Sequence, residues 1–456
     1  MRIETDSPIT LEFLKRALLV PPELEDRRKF VRGICTDSRA LKKGDLFIGI
    51  KGEHYDGSDF IPEIKKAALF TVGSEGSEAD LCVKDTTAAL LTLTNAYKKL
   101  LPIKKTVAIT GSVGKTTTKE LTRSILQHKF RTHATVGNFN NEIGVPFTVL
   151  SSPKNTEILV IEVGMNHSGE IKRISQCTEP DIAVITKIGN AHIGNLGSRE
   201  KIAEAKLEIL CGMKDKQIIL PYGEPLLTSA VKNYTSVSCE NTDADICFLK
   251  SNIDDDIFYL NRAHNNLCEL YLPELNIANF HTADCLAFAL AIALDFGMSE
   301  NDIKDALAKT DLSRFSKLIT IGELRILNDS YNSSPDAVIS ALDSLKQKKC
   351  KKSALIGDML ELGEFSENMH FEIGVHAAKS SLENLYLIGE YSKIVLEGAI
   401  SAGFDANKVF VNENTNAPEI TAADIRTHSS DELILFKASR KIGLERIIDI
   451  LKKAEK

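Results

Sequence analysis

The chain has no surplus of positive charge. Its 456 residues carry 56 Lys and Arg against 63 Asp and Glu, a formal net charge of -7. That balance excludes a sequence-independent nucleic-acid binder, whose surface needs cations to displace counterions from phosphates. Long hydrophobic runs are missing too: the longest, Cys285 to Leu294, falls short of the ~18 residues that cross a bilayer, so no membrane insertion is expected. The opening MRIETDSPITLEF is acidic and lacks the continuous apolar stretch of a secretory leader. Nine cysteines are present, but none form the close pairs of a zinc or dithiol site, and they read as reduced residues of a cytoplasmic protein. Low-complexity tracts and short repeats are absent as well, which leaves domains rather than arrays.

What is present is the composition of a soluble globular protein, 43% hydrophobic and 26% charged. The length exceeds one ordinary core, and three domains are expected. Residues 1–84 mix short strand-like runs with glycine turns and read as a small α/β domain. Residues 85–312 begin with a helix (Thr86 to Leu101) and then alternate the apolar runs TVAIT, EILVIEV, IAVITKI and QIILP with helical patterns, as right-handed crossover units around a mainly parallel sheet do. Residues 313–456 repeat the alternation with ELRILND, SALIGDM, NLYLIGE, KVFVN and ELILFKAS. The fold class is therefore α/β in three domains, the last an open α/β sheet without a phosphate loop of its own. Within it, SYNSSPDA marks a helix start, with Ser334 placed to cap, Pro335 in the first turn and Asp336 at the positive end of the dipole. The basic run KQKKCKK, Lys346 to Lys352, is expected to close a helix with solvated cations.

The most informative stretch is VAITGSVGKTTTKE, Val107 to Glu120. A strand leads through Gly111, Ser112, Val113 and Gly114 into Lys115, Thr116 and Thr117 at a helix start. The glycines reach backbone angles closed to other residues, so successive N–H groups can face phosphate oxygens. Lys115 then reaches the outer phosphates, and the Thr116 hydroxyl can bind magnesium. Ile109 stands where the strict G-x-x-x-x-G-K-[ST] motif has glycine.

Three further residues could complete a phosphoryl-transfer site. Glu162 ends the strand EILVIEV, where a magnesium site needs a carboxylate; the bland reading is that it caps the strand against a lysine. His192 lies in the loop GNAHIGNLGS, where a histidine is more often an ordinary exposed residue. In REKIAEAKLEIL the apolar stripe is Ile202, Ala205, Ile209 and Leu210, and Lys206 lies on it while Lys201, Glu204 and Glu208 face away. An inward lysine needs a partner and could become a reactive amine, or its stem packs while the ammonium reaches the rim. Residue chemistry alone leaves those two even.

Taken together, these stretches resemble the Mur ligase family, ATP-dependent amide-forming enzymes of peptidoglycan synthesis, and within it the branch that adds D-alanyl-D-alanine. The resemblance is carried over all three domains by CTDSRALKKGDLFIGIKGEHYDGSDF, TGSVGKTT, GNFNNEIGVP, IEVGMNHSGEI, NAHIGNLGS with AKLEIL, LNDSYNSSPDA and GDMLELGEFSENMH. It implies ATP and magnesium as cofactors, and UDP-N-acetylmuramoyl-tripeptide and D-alanyl-D-alanine as partners of a monomeric enzyme. It further implies that Lys115 and Thr116 hold the triphosphate and its metal, that Glu162 and His192 are metal ligands, and that Lys206 is carbamylated, which turns a misplaced cation into an anion able to hold magnesium. Asn138, Asn140 and Asn141 would line the nucleotide site, Arg314, Asp329, Tyr331 and Asn332 would approach ATP from the last domain, and Ser38 and Arg39 would belong to the UDP-sugar site. The chain departs from the family pattern at Phe280, His281 and Asp284, where relatives read H-N-x-x-N, at Lys437 to Arg440 (KASR for KGSR), and at Ser58, where histidine often follows D-G.

Sibling ligases that add a single amino acid, and folate polyglutamate ligases, share the same nucleotide chemistry. A nucleotide-binding switch protein is the reading from another class. It would carry an N-K-x-D guanine reader, which this sequence lacks.

Overall fold

The computed structural model describes residues 1–455 except 53–54, 192, 215–216, 252–255, 263–264, 273–279, 313–317 and 331–332. By contact the chain separates into two units: Met1–Thr110 with Lys119–Val184 and Ala205–Ile218, and Gly111–Thr118 with Ile185–Glu204 and Ile219–Lys456.

In the first unit, five short strands stand in the order Arg2–Ile3, Ile34–Cys35, Leu46–Ile48, Phe70–Ser74, Leu81–Val83. The first pair is antiparallel and the rest are parallel. Behind them lies the helix Thr86–Lys98, started by Asp85, whose carboxylate accepts from the Ala88 N–H at 2.8 Å. Leu14, Ile34, Leu46, Val72, Leu90 and Leu93 are all 0% exposed and form one cluster with Phe147 and Leu150. Truncating any one of these leucines to alanine should cost ~2–5 kcal/mol. The same unit holds Lys105–Thr110 paired in parallel with Ile158–Glu162, which pairs in parallel with Thr132–Ala134. Ile158–Glu162 is buried at every residue, so its side chains are continuously apolar until the terminal glutamate, as a sheet covered on both faces requires.

In the second unit, Thr235–Ser238 and Ile246–Lys250 continue a parallel arrangement from Ile219–Pro221. Ile257–Arg262 and Asn265–Tyr271 then close that edge as antiparallel strands. A six-stranded sheet follows, in the order Leu318–Ile321, Leu324–Asn328, Leu433–Lys437, Lys352–Gly357, Leu385–Ile388, Val409–Asn412. Only its first pair is antiparallel, joined at Gly322, whose φ of +55° suits the tight turn.

Every strand read from the sequence is present. The antiparallel edges are additions: their runs are short and interrupted by polar residues, so alternation alone marks them poorly. Two local expectations need correction. Lys352 is not a solvated cation: it is 8% exposed, and its Nζ donates to the Lys346 and Lys348 carbonyls at 2.9 and 2.6 Å, closing the helix Pro335–Lys346 from inside. Ser334 occupies the N-cap position of that helix but makes no side-chain capping bond; Pro335, which has no N–H to satisfy, opens it instead.

Candidate functional site

The phosphate loop belongs to the second unit. Gly111 has φ +151° and Gly114 φ +90°, and a Cβ on Gly111 would lie 2.0 Å from Thr186 Oγ1. The loop is pinned on both sides: the Ser112 N–H donates to the Lys187 carbonyl at 2.8 Å, and the Gly189 N–H donates to Ser112 Oγ at 2.9 Å. Thr186 Oγ1 donates to the Val113 carbonyl at 2.6 Å. Lys115 opens the helix Lys115–Leu126 and curls back, its Nζ donating to the Gly111 carbonyl at 2.8 Å. Thr116 and Thr117 are half-buried on the first turn of that helix. Cys285 covers the loop from the helix Phe280–Asp295, its thiol donating to the Gly114 carbonyl at 3.6 Å, and burial pushes that thiol up to about 12. The loop is therefore held with its backbone shaped before any phosphate arrives.

Other expected residues of this unit fall into place around different partners. Asp329 pairs with Lys437 at 3.1 Å, and its N–H donates to the Phe436 carbonyl at 2.9 Å. Asp336 accepts from the Asn190 N–H, and a Cβ on Gly189 would come within 2.6 Å of the same carboxylate. His192, Arg314, Tyr331 and Asn332 lie outside the described residues, as do the side chains of Phe280 and His281.

In the first unit, Glu162 is 1% exposed. Its Oε1 accepts from Asn140 Nδ2 at 2.8 Å and its N–H donates to Thr135 Oγ1 at 3.0 Å, whereas Oε2, also buried, accepts no hydrogen bond from the described residues. A buried carboxylate oxygen without a donor is costly unless a cation takes it, so its geometry fits a metal ligand. Asn138 is exposed and offers its carbonyl to the Asn140 N–H at 2.7 Å. Asn141 lies just before the helix Gly144–Leu150, where its Oδ1 accepts from the Ile143 and Gly144 N–H groups at 3.2 and 2.8 Å, bonds that the sequence reading did not give it.

Lys206 is 2% exposed near the end of the helix Arg199–Leu207, on the face shared by Ile202 and Ala205. The inward orientation is thus correct, and little of the side chain reaches solvent. Glu208 does not face solvent freely: it accepts from the Gly169 N–H at 2.8 Å and the Lys172 N–H at 3.1 Å at the start of the helix Glu170–Thr178. Ser38 and Arg39 lie in a short 3-10 turn begun by Asp37. Arg39 holds Asp37 through two bonds of 2.9 Å, and that pairing, against some burial, draws the carboxyl down to about 2.

Two functional-looking residues escaped the sequence reading. Lys119 is fully buried beside Glu162, with Nζ 3.9 Å from Oε2. The inward-charge argument applied to Lys206 would have found it, because Leu121, Thr122, Ile125 and Leu126 of the same helix are buried as well. His370 sits at the end of GDMLELGEFSENMH, where its Nε2 accepts from the Met359 N–H at 3.0 Å. Among the described residues no three His, Cys, Asp or Glu side chains cluster as a ready metal site. No described helix is long and apolar enough to cross a membrane.

A glycine loop between strand and helix, a buried strand-end glutamate and an inward lysine are each features that a nucleotide-dependent α/β ligase uses. Family models match along the chain: Mur ligase family, catalytic domain, over residues 30–107; Mur ligase middle domain over 109–268; and Mur ligase, glutamate ligase domain, over 313–440. The chain belongs to the Mur ligase family. It is 35% identical, over 95% of each chain, to the UDP-N-acetylmuramoyl-tripeptide–D-alanyl-D-alanine ligase of Bacillus subtilis, and 29% identical to that of Escherichia coli over 94% of this chain and 95% of the other. Its fold is the three-domain one of MurF from Acinetobacter baumannii, with a TM-score of 0.83 at 28% identity over 99% of this chain and 100% of that one. It is also similar to MurF ligase from Thermotoga maritima in complex with ADP, with a TM-score of 0.79 at 26% identity over 92% and 97%.

Proposed function

We propose that this protein is the ATP-dependent ligase that joins D-alanyl-D-alanine to UDP-N-acetylmuramoyl-tripeptide, releasing UDP-N-acetylmuramoyl-pentapeptide, ADP and phosphate. The observation that carries the substrate assignment is the 35% identity to the Bacillus subtilis ligase of that name over 95% of both chains. The nucleotide assignment is supported by the pinned phosphate loop and by the ADP complex of the Thermotoga maritima relative.

The reaction is an activation followed by a capture. The tripeptide's terminal carboxylate attacks the γ-phosphorus, ADP leaves, and the acyl phosphate is taken by the amine of D-alanyl-D-alanine with loss of phosphate. N–H groups from Gly111 to Thr117 would cradle the triphosphate. Lys115 would exchange the Gly111 carbonyl for a γ-oxygen, bringing a positive charge to where two anions meet. What magnesium supplies when bound is charge neutralisation between the carboxylate and the triphosphate. Glu162 Oε2, the Thr116 hydroxyl, His192 and a carbamylated Lys206 would hold it. Carbamylation suits Lys206 because it replaces a buried cation with an anion able to share a metal. Asn138, Asn140 and Asn141 with Arg314, Asp329, Tyr331 and Asn332 complete the proposed nucleotide contacts, and Ser38 and Arg39 those to the UDP moiety. The corresponding division of labour is UDP-sugar binding in residues 1–84, ATP binding in 85–312 and completion of the ligase site in 313–456, in a cytoplasmic enzyme.

The test is phosphate release from ATP and magnesium with both substrates, each omitted in turn, and a mass for the product. Release that needs both, with a product heavier by the dipeptide less water, is expected. Turnover with a free amino acid in place of the dipeptide would move the protein to a sibling ligase.

A further inference from the structure

Lys119 is among the largest side chains with no solvent exposure, and its ammonium has a full set of acceptors. Nζ lies 2.7 Å from the Thr135 carbonyl, 3.2 Å from the Gly137 carbonyl and 2.8 Å from Glu120 Oε1. An ammonium has three protons to donate, and these three acceptors use them. Glu162 Oε2, at 3.9 Å, receives the charge but no hydrogen bond.

The consequence is specific. A buried carboxylate without a countercharge is strongly destabilising, yet a lysine hydrogen-bonded to Oε2 would take one of that oxygen's lone pairs and compete with a metal for it. Here the cation offsets the charge while the coordinating oxygen stays open. Lys119 also fixes the segment that orients the other oxygen: Thr135, whose carbonyl it holds, accepts from the Glu162 N–H at 3.0 Å, and the chain beyond Gly137 carries Asn140, which donates to Glu162 Oε1 at 2.8 Å.

We propose that Lys119 is a positioning residue that keeps Glu162 Oε2 oriented and vacant for a divalent cation. The proposal rests on the reading of Glu162 as a metal ligand. Outer partners of this kind typically govern metal affinity by about 10–100-fold.

The probe is Mn2+, titrated by electron paramagnetic resonance into the full-length protein with saturating ADP, alongside a thermal unfolding curve. Three variants are compared with the wild type: Lys119→Met, which keeps the bulk and removes the donors; Lys119→Gln, which keeps one donor group; and Glu162→Gln. At least a tenfold weakening of Mn2+ binding in Lys119→Met is expected, with partial recovery in Lys119→Gln, each variant unfolding cooperatively at a midpoint lowered by the loss of the buried countercharge. Unchanged or tighter Mn2+ binding in Lys119→Met while Glu162→Gln loses the ion would overturn the role of Lys119 and leave the metal reading standing. Equal binding by wild type and Glu162→Gln would overturn the metal reading itself, and this proposal with it. Failure of both Lys119 variants to fold would make the residue a structural one and reject the proposal.

Discussion

Asn140 Nδ2 donates to Glu162 Oε1 across 2.8 Å, and this one bond divides the carboxylate into a held oxygen and an open one. Close packing enforces the pairing: a Cβ on Gly164 would lie 2.8 Å from the Asn140 side chain. Asn140→Ala is expected to leave Oε1 buried and unsatisfied, a loss of about 1–3 kcal/mol in denaturant unfolding. It should also let the carboxylate turn, lowering kcat about 10–100-fold. Wild-type kcat with lowered stability would reduce Asn140 to a packing residue.

At Gly111 the constraint is steric. Its φ of +151° and the 2.0 Å approach of Thr186 Oγ1 leave no room for a methyl group, and Thr186 itself is engaged with the Val113 carbonyl. Gly111→Ala is expected to push the loop away from its anchor and abolish measurable ADP binding by calorimetry, while circular dichroism stays native. The companion variant Lys115→Ala should keep ADP binding within reach but lose at least ~10²-fold in turnover, the scale for removing one charge-stabilising group.

How far the sequence reaches is clear from these residues. The parallel strands were legible because each is a short, wholly buried apolar run, and Ile158–Glu162 ends on a carboxylate that apolar patterning cannot explain. Lys206 was legible because one charge lay on a helical stripe that packing fills. The local bonds of Asn141 were not legible because an asparagine before a helix can serve a ligand, the nearby backbone N–H groups or both, and a linear pattern does not separate these roles. Lys119 was passed over beside the more familiar Lys115, although its position four residues on carried the same signal. The antiparallel edge from Ile257 to Tyr271 is held by pairing across the sheet, which a linear pattern does not record.

Burial of Lys206 sets up a rescue experiment. With 2% of its surface exposed, the side chain cannot be replaced by solvent, and Lys206→Ala leaves a cavity where the carbamate is proposed to sit. That variant is expected to be inactive and to regain activity with millimolar short-chain carboxylic acids, whose charge and size imitate the missing group. Intact mass of the wild type kept in bicarbonate should exceed the sequence mass by one carbon dioxide, lost on acidification. Full activity of an unmodified lysine would remove the carbamate from the site.

His370 gives the fold a pH dependence whose sign can be worked out. Nδ1 bonds to the Ser366 carbonyl at 2.7 Å and Nε2 accepts from the Met359 N–H at 3.0 Å, so the ring is neutral, with its proton on Nδ1. Burial pulls its pKa below the ordinary 6.5, with the Ser366 carbonyl and the Asp358 charge opposing that pull only in part. Tyr391 stacks on it at 4.4 Å, leaving the ring little freedom to turn. Because the folded state binds this proton less readily than the unfolded chain, the unfolded state gains protons first as pH falls. The contribution to stability is therefore complete above about pH 6.5 and is lost as pH drops from there toward the lower folded value. His133, also buried and shifted down, adds in the same direction. Denaturant unfolding measured from pH 8 to pH 5 should show stability declining below about 6.5, and His370→Gln should flatten that decline while lowering stability at pH 8. A variant whose curve runs parallel to wild type would assign the decline to other groups.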